Sequence, residues 1–416
     1  MPKKVVIIGG GFGGMNVAKT LSGTDFELTI IDKSNHHLFQ PLLYQVATAA
    51  LSPGDIAVPI RSVFSRQKNV RVILGEVVTV SKKDKVVQLT EGDLIPFDYL
   101  VIATGAQYNY FGNEDWEPVA PGLKSLDDAL RIRERILLSL EKAEKTPELE
   151  DRKPFLTFVV IGGGPTGVEM AGSIAEIAKR NMMREYRNFH KNETTVYLVE
   201  AAGGVLNGYS EGLSQNALDT LTKMGVQVIL NSPVQEITEK GVQLKNHFIE
   251  TPNVIWAAGV SGTSLTDSMD SEKDRIGRIK VNQDLSIPDH PNIFVIGDAA
   301  HFLDEDGKPL IGVAPVAMQQ GRFLGKLLKN ELKGKPRDSF RYTDKGTMAT
   351  IGRAKAVADI KGFKVTGLFA WLIWGIIHIF FLIGFRNRFR VFAEWIWHYI
   401  TFKRGVRLIA HKENQE

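Results

Sequence analysis

The feature that most constrains this chain is a unit it carries twice. Val5-Val6-Ile7-Ile8 is a continuous apolar run, as a buried parallel strand requires. It runs into Gly9-x-Gly11-x-x-Gly14, then a helix-like stretch from Met15 to Leu21, and a second strand from Phe26 to Ile31 ends at Asp32. Downstream, Phe158-Val159-Val160-Ile161 runs into Gly162-x-Gly164-x-x-Gly167. A helix over Val168 to Lys179 follows, and the strand Val196-Tyr197-Leu198-Val199 ends at Glu200. Two strand–glycine loop–helix–strand–acid units, about 150 residues apart, are a domain duplication rather than a solenoid repeat. A length of 416 residues suits roughly two to three domains.

Each small residue in the loop has a mechanical role. The first glycine permits the tight turn, the second lets the backbone approach a pyrophosphate, and the third lets helix and strand pack closely. Free N–H groups and the positive end of the dipole then face the phosphates. Gly9, Gly11, Gly13 and Gly14 with Asp32 make one candidate site, and Gly162, Gly164, Thr166 and Gly167 with Glu200 make the other. Asp32 and Glu200 are placed to accept from ribose hydroxyls. Glu200 repels a 2′-phosphate, and Ala201 and Ala202 offer no cation for one, so the second site favours NADH over NADPH. Two sites imply two dinucleotides, with FAD staying bound and NADH coming and going as hydride donor.

The chain has no Cys, which excludes disulfide scaffolds, redox Cys pairs, thiolate metal sites and Cys nucleophiles. No metal site is expected. Asp304-Glu305-Asp306-Gly307 lacks the later acids of a calcium loop and reads as a turn. A net charge of +4 is too slight to argue for nucleic acid.

The charge is unevenly spread. Residues 341–416 hold 13 Lys/Arg and 5 Asp/Glu, a net +8, and four of the six Trp: Trp371, Trp374, Trp395 and Trp397. Val365 to Phe385 is a 21-residue run with only Thr366 and His378 distinctly polar. Arg386, Arg388 and Arg390 follow. A second segment then carries Val391, Phe392, Trp395, Ile396, Trp397 and Ile400 mostly on one side, ahead of Lys403, Arg404 and Arg407. Either the first run spans a membrane, or two helices lie in the interface with basic residues at phosphate level. A dimer interface is a third use of such a tail. Aromatics at headgroup level favour the interfacial arrangement. Pro2-Lys3-Lys4 leads into too few apolar residues for a secretory leader.

Further motifs make a resemblance specific. Leu100-Val101-Ile102-Ala103-Thr104-Gly105, Trp256-Ala257-Ala258-Gly259 and Ile296-Gly297-Asp298 resemble signatures of the two-dinucleotide-binding-domain flavoproteins. Within them the chain is similar to the type II, non-proton-pumping NADH dehydrogenases. The match lies in His37-Leu38-Phe39-Gln40-Pro41-Leu42-Leu43-Tyr44-Gln45-Val46-Ala47-Thr48, in Gly164-Pro165-Thr166-Gly167-Val168-Glu169, and in Ala314-Pro315-Val316-Ala317-Met318-Gln319-Gln320-Gly321.

The resemblance implies that the first cradle holds FAD with help from Thr48, Ala103, Thr104, Gly105 and Asp298, and that Gly259 belongs with the NADH site. Glu169 would lie near the nicotinamide–flavin junction. Tyr44, Gln45, Ala317 and Gln319 would face a quinone, with Glu169 and Gln319 as catalytic candidates. A common family pattern, AQxAxQ, has Pro315 at its first Gln position here, while Gln319 keeps the second.

The expected architecture is α/β, with two Rossmann-like nucleotide-binding domains and a C-terminal amphipathic helical membrane-anchoring region. FAD-domain residues would be 1–115 and 285–340, NADH-domain residues 116–284, and the anchor 341–416. The expected function is hydride transfer from NADH to FAD and two-electron reduction of a quinone, without proton pumping. The chain would sit peripherally on the cytoplasmic side of the cell membrane, with a homodimer as a further use of the tail. A reductase of a ferredoxin-like carrier shares every nucleotide motif, as does a non-enzymatic flavoprotein of the apoptosis-inducing-factor kind.

Overall fold

The structure is a computed structural model that describes residues 1–178, 185–401 and 404–409. Lys179 and Lys403 lie outside the described residues. The chain divides into two compact units. One comprises residues 1–38, 57–107 and 260–344, and the other residues 39–56, 108–259 and 345–416.

The first unit is built on a six-stranded sheet. Its spatial order is Ser286–Ile287, His290–Val295, Tyr99–Ile102, Lys4–Ile8, Glu27–Asp32 and Val70–Leu74. All pairs are parallel except the edge pair of Ser286–Ile287 with His290–Val295. Val5, Val6, Ile7, Leu100, Val101 and Ile293 are fully buried, as strands covered on both faces demand. Strand order reverses between Lys4–Ile8 and Tyr99–Ile102, and such a switch point opens a crevice at the carboxyl ends. Helix Phe12–Thr20 starts three residues before the expected Met15, because the loop's last two glycines form its first turn. It packs on helix Ala314–Glu331, where a Cβ on Gly321 would lie 2.4 Å from the Gly13 carbonyl oxygen. The Asp304–Gly307 segment is the expected turn, closed by the Gly307 N–H on the Asp304 carbonyl.

The second unit repeats the plan. Its parallel sheet runs Val226–Ile229, Thr195–Val199, Thr157–Ile161, Asn253–Trp256, and again reverses beside the central strand. Helix Pro165–Glu176 follows the glycine loop, with Pro165 in the first turn where its missing N–H costs nothing. Helix Leu126–Lys145 begins with a capping box between Ser125 and Asp128. The C-terminal part is a three-stranded antiparallel sheet, Thr347–Gly352, Lys355–Ile360 and Phe363–Thr366, followed by helices Gly367–Phe381 and Phe385–Thr401.

The C-terminal apolar run is therefore divided. Its first residues are strand, and the helix that follows has 15 residues, about 22 Å at 1.5 Å per residue against a hydrocarbon core of about 30 Å. Among the described residues no helix is long and apolar enough to cross a membrane. Arg386, Arg388 and Arg390 lie inside the second helix rather than ahead of it.

Candidate active site

The carboxyl ends of three adjacent strands in the first unit bring Gly9, Ala103–Thr104–Gly105 and Asp298 together. Gly9 has φ +105°, and a Cβ there would lie 2.3 Å from the Ala103 carbonyl oxygen, so only glycine fits. A Cβ on Gly14 would lie 2.0 Å from the Gly9 carbonyl oxygen. Around Gly11, by contrast, a Cβ would meet nothing within 4 Å, which leaves open space at the helix N-terminus.

Asp32 Oδ2 accepts from the Gly10 N–H at 2.6 Å and Oδ1 from the Ser34 N–H at 2.6 Å. Burial pushes the Asp32 carboxyl up while these two bonds pull it down. Each oxygen keeps a lone pair for a ribose hydroxyl. Tight backbone at Gly9 and Gly14, open space at Gly11 and an oriented acid together fit the adenosine diphosphate half of FAD. Asp298 follows a turn in which the Gly297 N–H donates to Gln320 Oε1 at 2.7 Å. Ala317 is buried beside that turn.

The second cradle has the same geometry. Gly162 has φ +108°, and its Cβ would lie 2.8 Å from the Ala257 carbonyl. A Cβ on Gly167 would lie 1.8 Å from the Gly162 carbonyl oxygen, whereas Gly164 again faces open space. Glu200 Oε2 accepts from the Gly163 N–H, and Oε1 accepts from the Ala202 N–H at 2.7 Å. Gly259, two residues past Ala257, has φ +72°, the value of Gly105 in the first unit.

Beyond the cradle, helix Pro165–Glu176 presents Glu169, Ser173 and Glu176 on one side, at spacings of four and three. These line a cavity with Tyr44, Gln45, Thr350 and Arg404, closed by Trp371, Trp374 and Trp395. Glu169 is half-buried and lines this cavity. Burial pushes its carboxyl up to about 8, against one hydrogen bond from the Thr350 backbone. Burial and the nearby Glu169 also push the Tyr44 phenol well above its ordinary value. Gln45 joins two elements, for its Nε2 donates to Tyr44 Oη at 2.8 Å and its Oε1 accepts from Trp395 Nε1 at 2.7 Å. Thr48 is buried beneath, its hydroxyl donating to the Tyr44 carbonyl at 2.8 Å.

The family model for pyridine nucleotide-disulphide oxidoreductases matches residues 3–321, and that for the NDH2 C-terminal domain matches residues 345–404. Two Mycobacterium tuberculosis proteins are similar along nearly the whole chain. The type II NADH:quinone oxidoreductase Ndh is 41% identical, the match covering 99% of this chain and 91% of Ndh. The type II NADH:quinone oxidoreductase NdhA is 43% identical, covering 98% and 89%. The chain belongs to the type II NADH:quinone oxidoreductases. The structure of NDH2 from Plasmodium falciparum in complex with NADH has the same fold, with a TM-score of 0.89 at 23% identity over 99% of this chain and 100% of that one.

Type II NADH:quinone oxidoreductases thus share a scaffold with disulfide reductases, but a chain without Cys has no disulfide chemistry. Of the two Gln candidates, Gln319 has both amide ends on the Thr343 backbone: Nε2 donates to the carbonyl at 2.9 Å and Oε1 accepts from the N–H at 3.1 Å. Ser173, Glu176, Thr350, Trp395 and Arg404 were not foreseen as cavity residues. The 169, 173, 176 spacing is the one signal that could have found two of them.

Proposed function

We propose that the chain oxidises NADH on the second cradle and passes the electrons, through FAD held by the first, to a quinone reached from the lipid side. Bound FAD supplies the two-electron relay between a hydride donor and a quinone. The residues of the chain bind and orient. The glycine loops and helix N-termini take the two pyrophosphates, Asp32 and Glu200 take the ribose hydroxyls, and Ala103–Gly105 and Asp298 complete the flavin side. Glu169 holds a proton near neutral pH on the first turn beyond the NADH loop. Tyr44 and Gln45 present a hydroxyl and an amide as the polar contacts for a quinone, next to the aromatic residues of the C-terminal helices. Ala317 and Gln319 are assigned to the quinone side of the first unit.

The observation that carries the membrane part is an apolar face that no element covers among the described residues. Phe369, Leu372, Ile376 and Phe380 are exposed on helix Gly367–Phe381, and Phe385, Phe389, Phe392, Ile396, Trp397 and Ile400 on helix Phe385–Thr401. Exposed Arg386 and Arg388 flank them at the level of lipid phosphates. The reading is peripheral attachment on the cytoplasmic side, with pairing of two copies as a second use of the face.

Stopped-flow absorbance of the flavin band tests this. Fast bleaching by NADH and fast recovery on adding a short-chain benzoquinone are expected. Recovery only with a ferredoxin-like protein would move the assignment to a carrier reductase. Sedimentation in detergent reports whether copies pair.

A further inference from the structure

Polar contacts tie the segment carrying Tyr44, Gln45 and Thr48 to the C-terminal stretch. Arg390 Nε lies 3.4 Å from the buried Asp55 carboxylate, Trp395 Nε1 donates to Gln45, and Arg404 reaches Thr48. The third is chemically unusual. Arg404 is 3% exposed, and one guanidinium nitrogen donates to the Thr48 carbonyl. The other nitrogen lies 3.2 Å from the Ser173 carbonyl, 3.2 Å from Ser173 Oγ and 3.3 Å from Glu176 Oε2.

Proton directions in this network are determined. The Thr48 hydroxyl spends its hydrogen on the Tyr44 carbonyl, so across the 2.8 Å Thr48–Ser173 contact Ser173 is the donor. Ser173 Oγ therefore meets Arg404 with a lone pair. One path of bonds therefore runs from Arg404 through Ser173 Oγ and the Thr48 hydroxyl to the Tyr44 carbonyl. A guanidinium serves two such branches from separate nitrogens held in a rigid planar fork, whereas a lysine ammonium has its three donors on a single nitrogen and fixes neither branch in direction.

Burying a guanidinium is costly, and an apolar residue of similar size often stabilises a fold as well. We infer that Arg404 is a positioning residue for quinone reduction, its fork clamping the Thr48 carbonyl to the Ser173–Glu176 face of the NADH-site helix and so fixing Tyr44 and Gln45 at the quinone. The inference rests on the reading of Tyr44 and Gln45 as quinone contacts.

The test uses the full-length flavoprotein in detergent and the variants Arg404→Met, Arg404→Lys and Ser173→Ala. Arg404→Met should lower kcat/KM for a short-chain benzoquinone about tenfold, mainly through KM, with flavin bleaching by NADH within about twofold of the parent. Arg404→Lys should recover part of the loss. Ser173→Ala removes one branch without deleting the buried charge and should give a smaller change in the same direction, which keeps the test alive if Arg404→Met does not fold. Quenching of tryptophan fluorescence by the same quinone gives a binding readout independent of turnover. Equal loss in both half-reactions, or a lowered melting temperature with unchanged quinone kinetics and binding, would overturn the assignment. Tyr44→Phe and Gln45→Ala separate the two levels. If they weaken quinone binding while the Arg404 and Ser173 variants do not, only the role of Arg404 fails. If none of them alters it, the quinone reading of the segment fails.

Discussion

Gly172 of helix Pro165–Glu176 packs on Ile351 of the first C-terminal strand, for a Cβ there would lie 1.7 Å from the Ile351 carbonyl oxygen. Glu169, one turn earlier on the helix, lines the same cavity as Thr350 of that strand. Burial dominates the protonation of this acid.

A pH-dependent stability follows. The Glu169 carboxyl titrates near its ordinary 4.5 when unfolded and at about 8 when folded. Between those values the folded chain binds one more proton, so stability falls as pH rises, by about 1.4 kcal/mol per pH unit from this group alone. Glu169→Gln is neutral throughout and keeps an acceptor for Thr350. Its stability relative to the parent should rise from pH 5 to pH 8 and level off above. Chemical denaturation at pH 5, 7 and 9 measures this; a constant difference would show that the carboxyl is ionised in the folded protein.

Within each cradle the glycines differ in what replacement does. Gly11→Ala puts a methyl into open space where a pyrophosphate would pass, so the protein should fold with its normal melting temperature when stripped of flavin, yet bind FAD at least tenfold more weakly. Gly14→Ala drives a methyl against the Gly9 carbonyl and should cost about 2–4 kcal/mol of stability as well. Flavin content after dialysis, read beside a melt of the apoprotein, separates the two.

Both cradles were readable in the sequence because the constraints on them are local. A strand, a tight turn and a helix N-terminus fall within a dozen residues, and each glycine answers a steric demand from its near neighbours. Thr48, Ser173 and Arg404 show the opposite case. Arg404 meets partners 231 and 356 residues away, and no periodicity marks a lone arginine after an amphipathic helix. The sheet over 347–366 was hidden too, for its strands are short and its apolar residues merge with the run that follows. Of its two turns, Lys361-Gly362 has a glycine at positive φ, while the turn at Arg353-Ala354 puts positive φ on an alanine. The limits of the units, at 107 and 259 by contact, fall in connections without any shift of composition.

Cofactor choice is open to a charge-removal test. Both Glu200 oxygens are held by backbone N–H groups, so the carboxylate is fixed at the carboxyl end of its strand, where it would repel a 2′-phosphate. Glu200→Ala should leave flavin content unchanged and narrow the preference for NADH over NADPH by about tenfold in kcat/KM, mostly by raising KM for NADH. An unaltered ratio would mean that other groups read the ribose.

Membrane attachment can be separated from folding because the two C-terminal helices use different sides for each. Ala370, Trp374 and His378, at spacings of four, face inward. His378 stacks on Trp374 and donates from Nδ1 to its carbonyl at 2.7 Å, and burial pushes the imidazole down to about 4, so it stays neutral at pH 7. Phe380 and Phe389, at 68% and 64% exposure, cover no core. Phe380→Ser with Phe389→Ser should leave the melting temperature and NADH-driven flavin reduction unchanged. Each lost side chain removes about 1.5–3 kcal/mol of lipid burial, so flotation with anionic phosphatidylglycerol vesicles should fall at least tenfold. Truncating the tail is a poorer test, because it would strip Ala370 and Trp371 from the sheet they cover. Arg386→Gln with Arg388→Gln should weaken flotation in proportion to the anionic lipid present and steeply with salt, as screened charge requires. If flotation is insensitive to both pairs, the exposed face is a contact between protein copies, and the sedimentation profile should shift with the Phe380/Phe389 pair instead.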